Sequence, residues 1–502
     1  MQTNLLYRNR IEESAQDENE QNQLVKDLKM EWVLECMAQK NTDRYEICKK
    51  ILTIPLTDMK DIIWRQEVVQ EVIRTPEFFC KTYENINSTI QEIEEYRHFA
   101  APKYNQIVKN SKRILVEVEV LKKFMATIVK FTTMLKENTW SKTPLVTLNS
   151  EVQQMFSPKF IEAVQEHIAK LEYFKEGECL VLSGHIGLGF RKTDFILNEI
   201  KKSTDEGKGE TKQSVMTKLF GKKNEDTHCI KLEDAGLENS EEQLEENSLE
   251  GLLKVLVTYN KKVMMLFKSL KLQFGFYSGC HYLYEAVVET HAPWCFPEYS
   301  NEIGFIDVHN LMDIGLVLKN KKTAIGNDFK VENKNLCMIT GANQGGKTTF
   351  LRSIGLSVAM AQSGLFVCAT YYKASIFKGL FTHFPSEEDA KVSKGLLEME
   401  LGRMSDITKK IKKGSILLMN ESFATTTERE GGQIAEEVTR AFRECGIFNI
   451  FVTHLFEYAH ALYEKQPEDV IFYKAGKDAK GERTYRIEVG EPVAYGNGVD
   501  LI

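Results

Sequence analysis

Residues 336–348 read LCMITGANQGGKT, in which a short apolar strand runs directly into a glycine-rich loop. The loop, residues 341–348, matches the pattern G-x-x-x-x-G-K-[ST] at every fixed position. In such loops the glycines let backbone N–H groups turn inward around phosphates, the lysine reaches the β- and γ-phosphate oxygens, and the last hydroxyl faces Mg²⁺. The predicted cofactor-binding residues are Gly341, Asn343, Gly345, Gly346, Lys347, Thr348 and Thr349.

Two more apolar strands are predicted to end beside this loop. One, in residues 415–421 (SILLMNE), ends in Asn420 and Glu421, and the other, in residues 447–452 (IFNIFV), is followed by Thr453 and His454. The carboxyl ends of parallel strands meet at one edge of a sheet, so these side chains should lie near the loop. Glu421 and His454 are therefore the predicted catalytic residues, with Glu421 polarising the attacking water.

The metal position departs from the usual pattern. An aspartate that holds the magnesium shell normally precedes the glutamate, and here that residue is Asn420. The predicted metal-site residues are therefore Thr348 and Asn420, with a neutral amide in place of a carboxylate.

A second anion site is predicted at the start of a helix that runs from Leu396 to Lys413. The helix has apolar residues on one face, lysines in its last turns and Gly414 as its stop. Ser393, which precedes it, is a good N-cap residue. The positive end of this helix would attract a phosphate.

The pattern around these motifs divides the chain into two predicted domains. From about residue 304, short apolar strands alternate with helices of roughly 12 to 18 residues, which is typical of an α/β domain. The part before residue 300 is helical, beginning with a helix from about Glu12 to Lys40. We therefore expect a helical core and lever domain at residues 1–300 and an α/β domain at residues 301–502.

Two long helices in the first domain carry apolar residues at seven-residue spacing, which predicts a pair of packed levers. The first repeat is Ile107, Ile114, Leu121, Ile128 and Leu135, and the second is Leu249, Leu256, Val263 and Leu270. Between the levers, at about residues 174–248, a small tip insertion is expected. Its first part, from Cys179 to Phe190, is typical of a hairpin, whereas residues 201–247 are polar, end in an acidic run and are expected to lack structure.

The composition is that of an ordinary soluble globular protein. Of the 502 residues, 42% are hydrophobic and 27% are charged, and the ten cysteines form no C-x-x-C pair, which favours reduced thiols in the cytoplasm and no structural metal. The first residues resemble no targeting peptide. The longest nearly apolar run, residues 354–369, is shorter than the roughly 20 residues that span a bilayer, so no membrane contact is expected. Because the net charge is −7, any contact with nucleic acid needs a local basic surface.

Together these motifs resemble one family closely, the MutS DNA mismatch repair proteins, whose ATPase domain is a branch of the ABC-type ATPases. The segment GANQGGKTT is similar to the family's G-P-N-M-G-G-K-S-T, ESFATTTEREG keeps the length of E-I-G-R-G-T-S-T-Y-D-G, and FVTHLFEYA resembles A-T-H-Y-F-E-L. The likeness spans about residues 323–498, and residues 43–73 are similar to the start of the family's helical core. Because the core begins this early, the chain is identified as a short member that lacks the mismatch-reading and connector domains.

The resemblance implies a P-loop α/β ATPase domain that binds ATP and Mg²⁺ and forms a homodimer. In that dimer Ser393 of one subunit caps the γ-phosphate held by the other, and Asn327 contacts the adenine. DNA is the implied substrate, with mismatch reading itself doubtful. Departures from the family are Ala324 in place of an aromatic residue, Lys394 in place of threonine, Glu430 in place of aspartate, and Asn420 in place of the magnesium aspartate. The last of these predicts slow hydrolysis.

Three functions remain open at this point. The first is an ATP-switched dimer acting on DNA in mismatch repair or in the processing of DNA structures. The second, suggested by Asn420, is a nucleotide-binding scaffold with little turnover. The third, suggested by the acidic tip, is an ATPase whose levers grip a ribonucleoprotein partner.

Overall fold

The computed structural model describes residues 3–8, 17–101, 109–172, 179–184, 195–201, 238–385 and 395–493, with the backbone alone for residues 179–184, 195–201 and 238–248. By packing, the chain forms two compact units. One consists of residues 84–138 and 149–271, and the other of residues 2–83, 139–148 and 272–502. The packing therefore groups the first 83 residues with the α/β part, whereas the domain boundary near residue 300 rests on the change of sequence pattern and stays a prediction.

The first helices of the second unit are shorter than predicted. They are α1 (Glu18–Leu28), α2 (Glu31–Ala38), α3 (Thr42–Leu52) and α4 (Met59–Arg74). The prediction of one helix from Glu12 to Lys40 is wrong, because Lys29 adopts the left-handed conformation (φ 50°) and its N–H donates to the carbonyl oxygens of Val25 and Lys26, which ends α1. Residues 9–16 lie outside the described part of the chain.

The two predicted lever helices are present and pack together. The helices that follow α4 are α5 (Pro76–Ala100), α6 (Asn110–Glu137), α7 (Thr143–Met155), α8 (Pro158–Glu172) and α9 (Glu238–Glu289). The described residues of both seven-residue repeats are buried in α6 and α9. Phe124 of α6 and Phe267 of α9 meet edge to face with ring centroids 4.7 Å apart. Ile107 lies outside the described residues.

The tip differs in part from its prediction. Strand β1 (Cys179–Gly184) pairs antiparallel with β2 (Phe195–Lys201), so a strand pair exists, but its second strand begins beyond the predicted hairpin at Cys179 to Phe190. Residues 238–247 belong to the segment predicted to lack structure, and they form the start of α9 instead. Residues 202–237 lie outside the described part of the chain.

The α/β part contains a six-stranded sheet in the order β12-β11-β6-β10-β9-β8. Its strands are β6 (Leu336–Thr340), β8 (Leu380–His383), β9 (Ile416–Asn420), β10 (Phe448–Val452), β11 (Val470–Lys477) and β12 (Arg483–Val489). The first five are parallel, and only the edge strand β12 runs antiparallel to its neighbour. Every residue of β6, β9 and β10 is buried, as expected for parallel strands covered on both faces.

A four-stranded sheet, in the order β3-β7-β4-β5, completes this unit. Its strands are β3 (Glu298–Ser300), β4 (Ile306–Leu311), β5 (Asn327–Val331) and β7 (Tyr371–Ser375). The helices of the α/β part are α10 (Ile314–Asn320), α11 (Lys347–Ala361), α12 (Leu396–Lys410), α13 (Glu428–Glu444) and α14 (Phe456–Lys465). A helical region followed by an α/β domain is the predicted fold class, and it is confirmed.

The apolar run at residues 354–369 is a buried element, since each of its residues is shielded from solvent in α11 and the segment that follows it. Among the described residues, no helix has both the length and the apolar character that crossing a bilayer requires.

Candidate functional site

The glycine-rich loop joins β6 to α11 in the way the motif requires. Gly341 and Gly346 have φ values of 123° and 91°, a backbone region that residues with a side chain rarely adopt. At Gly345 the constraint is space: a Cβ atom there would lie 2.9 Å from the Cβ of Ala475 and 3.0 Å from the Ala342 carbonyl oxygen. The loop is therefore packed tightly against β11, and its conformation depends on these glycines.

Lys347 is the first residue of α11 and its side chain lies within the loop. Its Nζ donates to the carbonyl oxygens of Gly341 (2.7 Å) and Ala342 (2.9 Å). The side chain is buried, and burial lowers the pKa of Lys347 to about 8, an effect that the Glu421 carboxylate opposes. An anion such as a phosphate would restore favourable surroundings for this ammonium group.

Thr348 and Asn420 bring two oxygen atoms together. The Thr348 hydroxyl donates to Oδ1 of Asn420, the last residue of β9, over 2.9 Å. Magnesium is usually held by one or two side chains with phosphate oxygens and water completing its shell, and this oxygen pair fits that requirement. No cluster of three or more histidine, cysteine, aspartate or glutamate side chains in the described residues forms an alternative metal cage.

Glu421 and His454 form a hydrogen-bonded pair at the same sheet edge. The Glu421 N–H donates to the Val452 carbonyl oxygen (2.7 Å), which fixes the residue beside the end of β10. Its Oε1 lies 2.6 Å from His454 Nε2. The hydrogen bond from His454 is the main cause that lowers the pKa of Glu421, and nearby Lys347 adds to it. Glu421 is therefore an ionised carboxylate at neutral pH, able to orient water or to accept its proton.

A cavity of about 750 Å³, a volume typical of sites for small ligands, lies beside these groups, although Gly341, Asn420 and His454 are not part of its lining. The predicted residues that line it are Asn327, Asn343, Gly345, Gly346, Lys347, Thr348, Thr349 and Glu421. Asn327 begins β5, and its Oδ1 accepts the N–H of Ile487 over 2.8 Å. A contact of Asn327 with the adenine stays a prediction.

The predicted second anion site is only partly described. Helix α12 begins after Gly395, whose φ of 114° and lack of a side-chain capping bond make it a backbone N-cap. The prediction of Ser393 as the N-cap is therefore wrong, and Ser393 and Lys394 themselves lie outside the described residues. The helix also ends at Lys410, three residues before the predicted end at Lys413.

Comparison with known proteins places both halves of the chain in one family. Residues 57–290 match the family model of the MutS2 N-terminal domain, and residues 337–495 match the model of MutS domain V. The chain belongs to the MutS family. Neither match is to a mismatch-reading or connector domain.

Individual members of the MutS family show a more limited likeness. The chain is 26% identical over 185 residues to the DNA mismatch repair protein MutS of a Thermus thermophilus strain, which is 35% of this chain and 23% of that protein. It is 29% identical over 180 residues to MutS of a Thermotoga species, covering 33% and 23%. The human MutS protein homolog 4 is 27% identical over 190 residues, covering 34% and 20%. The matched part therefore spans less than a quarter of the length of these relatives.

Within this MutS-family chain, the cavity lining also includes residues that were not predicted, among them Tyr485. Tyr485 of β12 is 47% exposed and lines the cavity, and its backbone oxygen would lie 3.3 Å from a Cβ atom at Gly346. Ala324, which stands where the family often has an aromatic residue, lines the same cavity. Little in the local sequence indicates Tyr485, because β12 approaches the loop through β11, which pairs with the distant strand β6.

Proposed function

We propose that this chain binds ATP with Mg²⁺, hydrolyses it slowly, and uses the nucleotide state to control a dimer that acts on DNA in repair or recombination. The observation that supports the proposal most directly is the convergence of three groups at one sheet edge, where Lys347, Thr348 and Glu421 line a single cavity. The glycine-rich loop with Lys347, the Thr348–Asn420 pair and the Glu421–His454 pair come from three neighbouring parallel strands.

Each of these groups has a defined role in phosphate chemistry. Lys347 and the N-terminus of α11 would neutralise the β- and γ-phosphates. Thr348 and Asn420 would hold Mg²⁺, which supplies further charge neutralisation when bound. Glu421, oriented by His454, would position the attacking water and accept its proton.

The amide of Asn420 is the reason for proposing slow hydrolysis. A neutral oxygen binds a magnesium-bound water about half as strongly as a carboxylate does. In addition, Oδ1 of Asn420 already accepts the Thr348 hydroxyl, so this oxygen serves two partners. Turnover should therefore require more Mg²⁺ than in a protein with aspartate at this position.

The decisive experiment measures binding and turnover separately on the full chain. ATP affinity is determined by titration calorimetry with and without Mg²⁺, and hydrolysis by release of radioactive phosphate over hours. Saturable ATP binding with slow, Mg²⁺-dependent turnover is the expected result. Absence of ATP binding up to millimolar concentration would contradict the proposal.

The dimer and the DNA substrate need their own measurements. Light scattering at micromolar protein should show a dimer that is tighter with ATP than without it. Filter binding with mismatched, branched and perfect duplexes at two salt concentrations should show a steep salt dependence and no preference for the mismatch. A tenfold preference for mismatched DNA, or affinity that is independent of salt, would contradict this part of the proposal.

A nucleotide-binding scaffold is the second candidate, and the engagement of Asn420 by Thr348 is the observation that favours it. In that case ATP would bind and change the dimer without being consumed. Micromolar ATP affinity together with no released phosphate after many hours would select the scaffold over the ATPase.

A further inference from the structure

A buried histidine outside the cavity connects α12 to the segment that carries Glu421. His383 ends β8 and is 1% exposed. Its Nδ1 lies 2.7 Å from the Ser422 hydroxyl, and its Nε2 lies 3.1 Å from the Glu400 carbonyl oxygen in α12. Its ring also packs against Phe423 with the centroids 5.6 Å apart. We call residues 421–427, which join β9 to α13, the Glu421 loop.

The chemistry of these contacts fixes the form of the imidazole. A carbonyl oxygen can only accept, so Nε2 must carry the hydrogen that bonds to Glu400. Burial lowers the pKa of His383 to about 4, so the ring is neutral at pH 7 and Nδ1 has a free electron pair. Ser422 therefore donates its hydroxyl hydrogen to Nδ1, with the His383 carbonyl oxygen as a second acceptor 3.1 Å away.

A second link joins the same turn of α12 to the same loop. The Glu400 side chain is buried, and its Oε2 accepts the Thr425 hydroxyl over 2.8 Å. Glu400 thus reaches the Glu421 loop twice, through its carbonyl oxygen by way of His383 and through its carboxylate directly. Two links to one residue hold the loop more rigidly than either link could alone.

The Glu421 loop needs such support because of its backbone. Glu421 and Phe423 have φ values of 51° and 64°, which residues with a side chain rarely adopt. Strained conformations of this kind persist only where the surrounding structure holds them. On the side facing β10, the Glu421 N–H is held by the Val452 carbonyl oxygen. On the side facing α12, the Glu421 loop is held by His383 and Glu400.

We propose that His383 and Glu400 are positioning residues that fix the Glu421 loop to α12, so that the position of α12 determines whether Glu421 points at the reacting phosphate. The inference rests on the proposed ATPase function. It makes α12 a control element of hydrolysis in its own subunit, since a shift of this helix would pull on Ser422 and Thr425 and turn the carboxylate of Glu421 away.

Variants that remove single hydroxyls test the two links. Ser422→Ala breaks the link through His383, and Thr425→Val breaks the link to the Glu400 carboxylate. Each should lower kcat about fivefold to tenfold, as expected for the loss of one buried hydrogen bond, and leave ATP affinity within about twofold. Thr439→Val is the matched control, because Thr439 is a buried hydroxyl in α13 that bonds to Ala435 and Tyr458 and not to the loop.

Two amide side chains of different length test the bonds at Nδ1 and Nε2 of His383 one at a time. In His383→Asn the amide oxygen can stand in for Nδ1 and keep the bond from Ser422 but cannot reach Glu400, so the link is broken at its α12 end and kcat should fall as in Ser422→Ala. In His383→Gln the amide nitrogen can stand in for Nε2, which keeps the Glu400 bond and loses Ser422, so kcat should fall as in Ser422→Ala. A parent-like kcat in either variant, or the same loss in Thr439→Val as in Ser422→Ala, would overturn the proposal.

A readout that needs no hydrolysis separates this proposal from the ATPase proposal. His454 Nε2 bonds to Glu421, so the side-chain ¹⁵N resonances of His454 report the position of the loop. They should shift in Ser422→Ala and Thr425→Val and stay unchanged in Thr439→Val, whether or not the parent releases phosphate. Unchanged His454 resonances in both loop variants would overturn the positioning role, even if ATP is hydrolysed.

Discussion

The sheet edge at the cavity and the α6–α9 helix pair both bury polar side chains, but they do so in opposite ways. In the helix pair, the Asn260 amide is fully buried and donates to the carbonyl oxygen (2.8 Å) and the carboxylate (2.7 Å) of Glu117. Arg97 pairs with the same carboxylate over 2.8 Å. At the sheet edge, Lys347 and Glu421 line a cavity of about 750 Å³.

The difference lies in where the polar groups find their partners. Asn260 of α9 and Arg97 of α5 both pair with Glu117 of α6, so these side chains specify how three helices pack. The groups at the sheet edge converge on open space, where a ligand can reach them. Substitutions at the sheet edge should therefore change ligand chemistry more than stability, and substitutions in the helix pair should do the reverse.

The largest effect is expected for Glu421→Gln. An amide cannot accept the proton of the attacking water, and loss of a general base typically lowers the rate about 10²- to 10⁴-fold. Turnover should therefore fall by at least about 100-fold, with ATP affinity and melting temperature unchanged. Glu332→Gln, at an exposed position in the turn between β5 and β6, serves as the control. Unchanged phosphate release in Glu421→Gln would remove Glu421 from the mechanism.

Lys347→Ala should weaken ATP binding on the order of 100-fold, because it removes charge-assisted hydrogen bonds to the phosphates. The fold should survive, since the side chain bonds only to the carbonyl oxygens of its own loop. Calorimetric titration with ATP and circular dichroism measure the two quantities. Lys330→Ala, an exposed lysine on β5, should match the parent. Undiminished ATP affinity in Lys347→Ala would contradict the assignment of the loop.

The helix pair should respond in the opposite sense. Asn260→Leu removes the buried amide donor from Glu117, leaving Arg97 as the remaining partner of the carboxylate, and should lower the free energy of unfolding by about 1 to 3 kcal/mol. ATP affinity should not change. Urea unfolding measures the loss, and Lys261→Ala, at the exposed neighbouring position, should stay within about 0.5 kcal/mol of the parent. Loss of ATP binding in Asn260→Leu would break the distinction between the two regions.

A pH titration tests the electrostatics of the sheet edge. Because burial lowers the pKa of Lys347 to about 8, the group is protonated below that pH and loses its charge as the pH rises above it. ATP affinity should therefore fall by about tenfold between pH 7 and pH 9, the change expected when one pKa unit of charge interaction is lost. In Lys347→Ala this dependence should disappear. A parent whose affinity is flat over this range would show that the lysine keeps its ordinary pKa.

The features of both regions that depend on local sequence could be predicted. The loop pattern, the apolar strands before Asn420 and His454, and the seven-residue repeats of both levers each depend on neighbours along the chain. The break at Lys29 could not be predicted, because a lysine in the left-handed conformation interrupts a continuous helical pattern. Tyr485 and His383 were missed for another reason, since each reaches its place through strand pairing between distant segments.

The smallest effect is expected at Asn420, which stands where the family has an aspartate. Asn420→Asp should restore a negative charge beside Thr348, and the gain from a charge-assisted over a neutral hydrogen bond is about 1 kcal/mol, or roughly fivefold. The Mg²⁺ concentration for half-maximal turnover should fall by that factor and kcat should rise. The control is Asn333→Asp, at an exposed position in the turn before β6. Asn449 is unsuitable as a control because it is buried within β10. If Asn420→Asp changes neither quantity while Glu421→Gln still stops turnover, Mg²⁺ is held by Thr348 and the phosphates alone, and the amide of Asn420 serves only to orient the Thr348 hydroxyl.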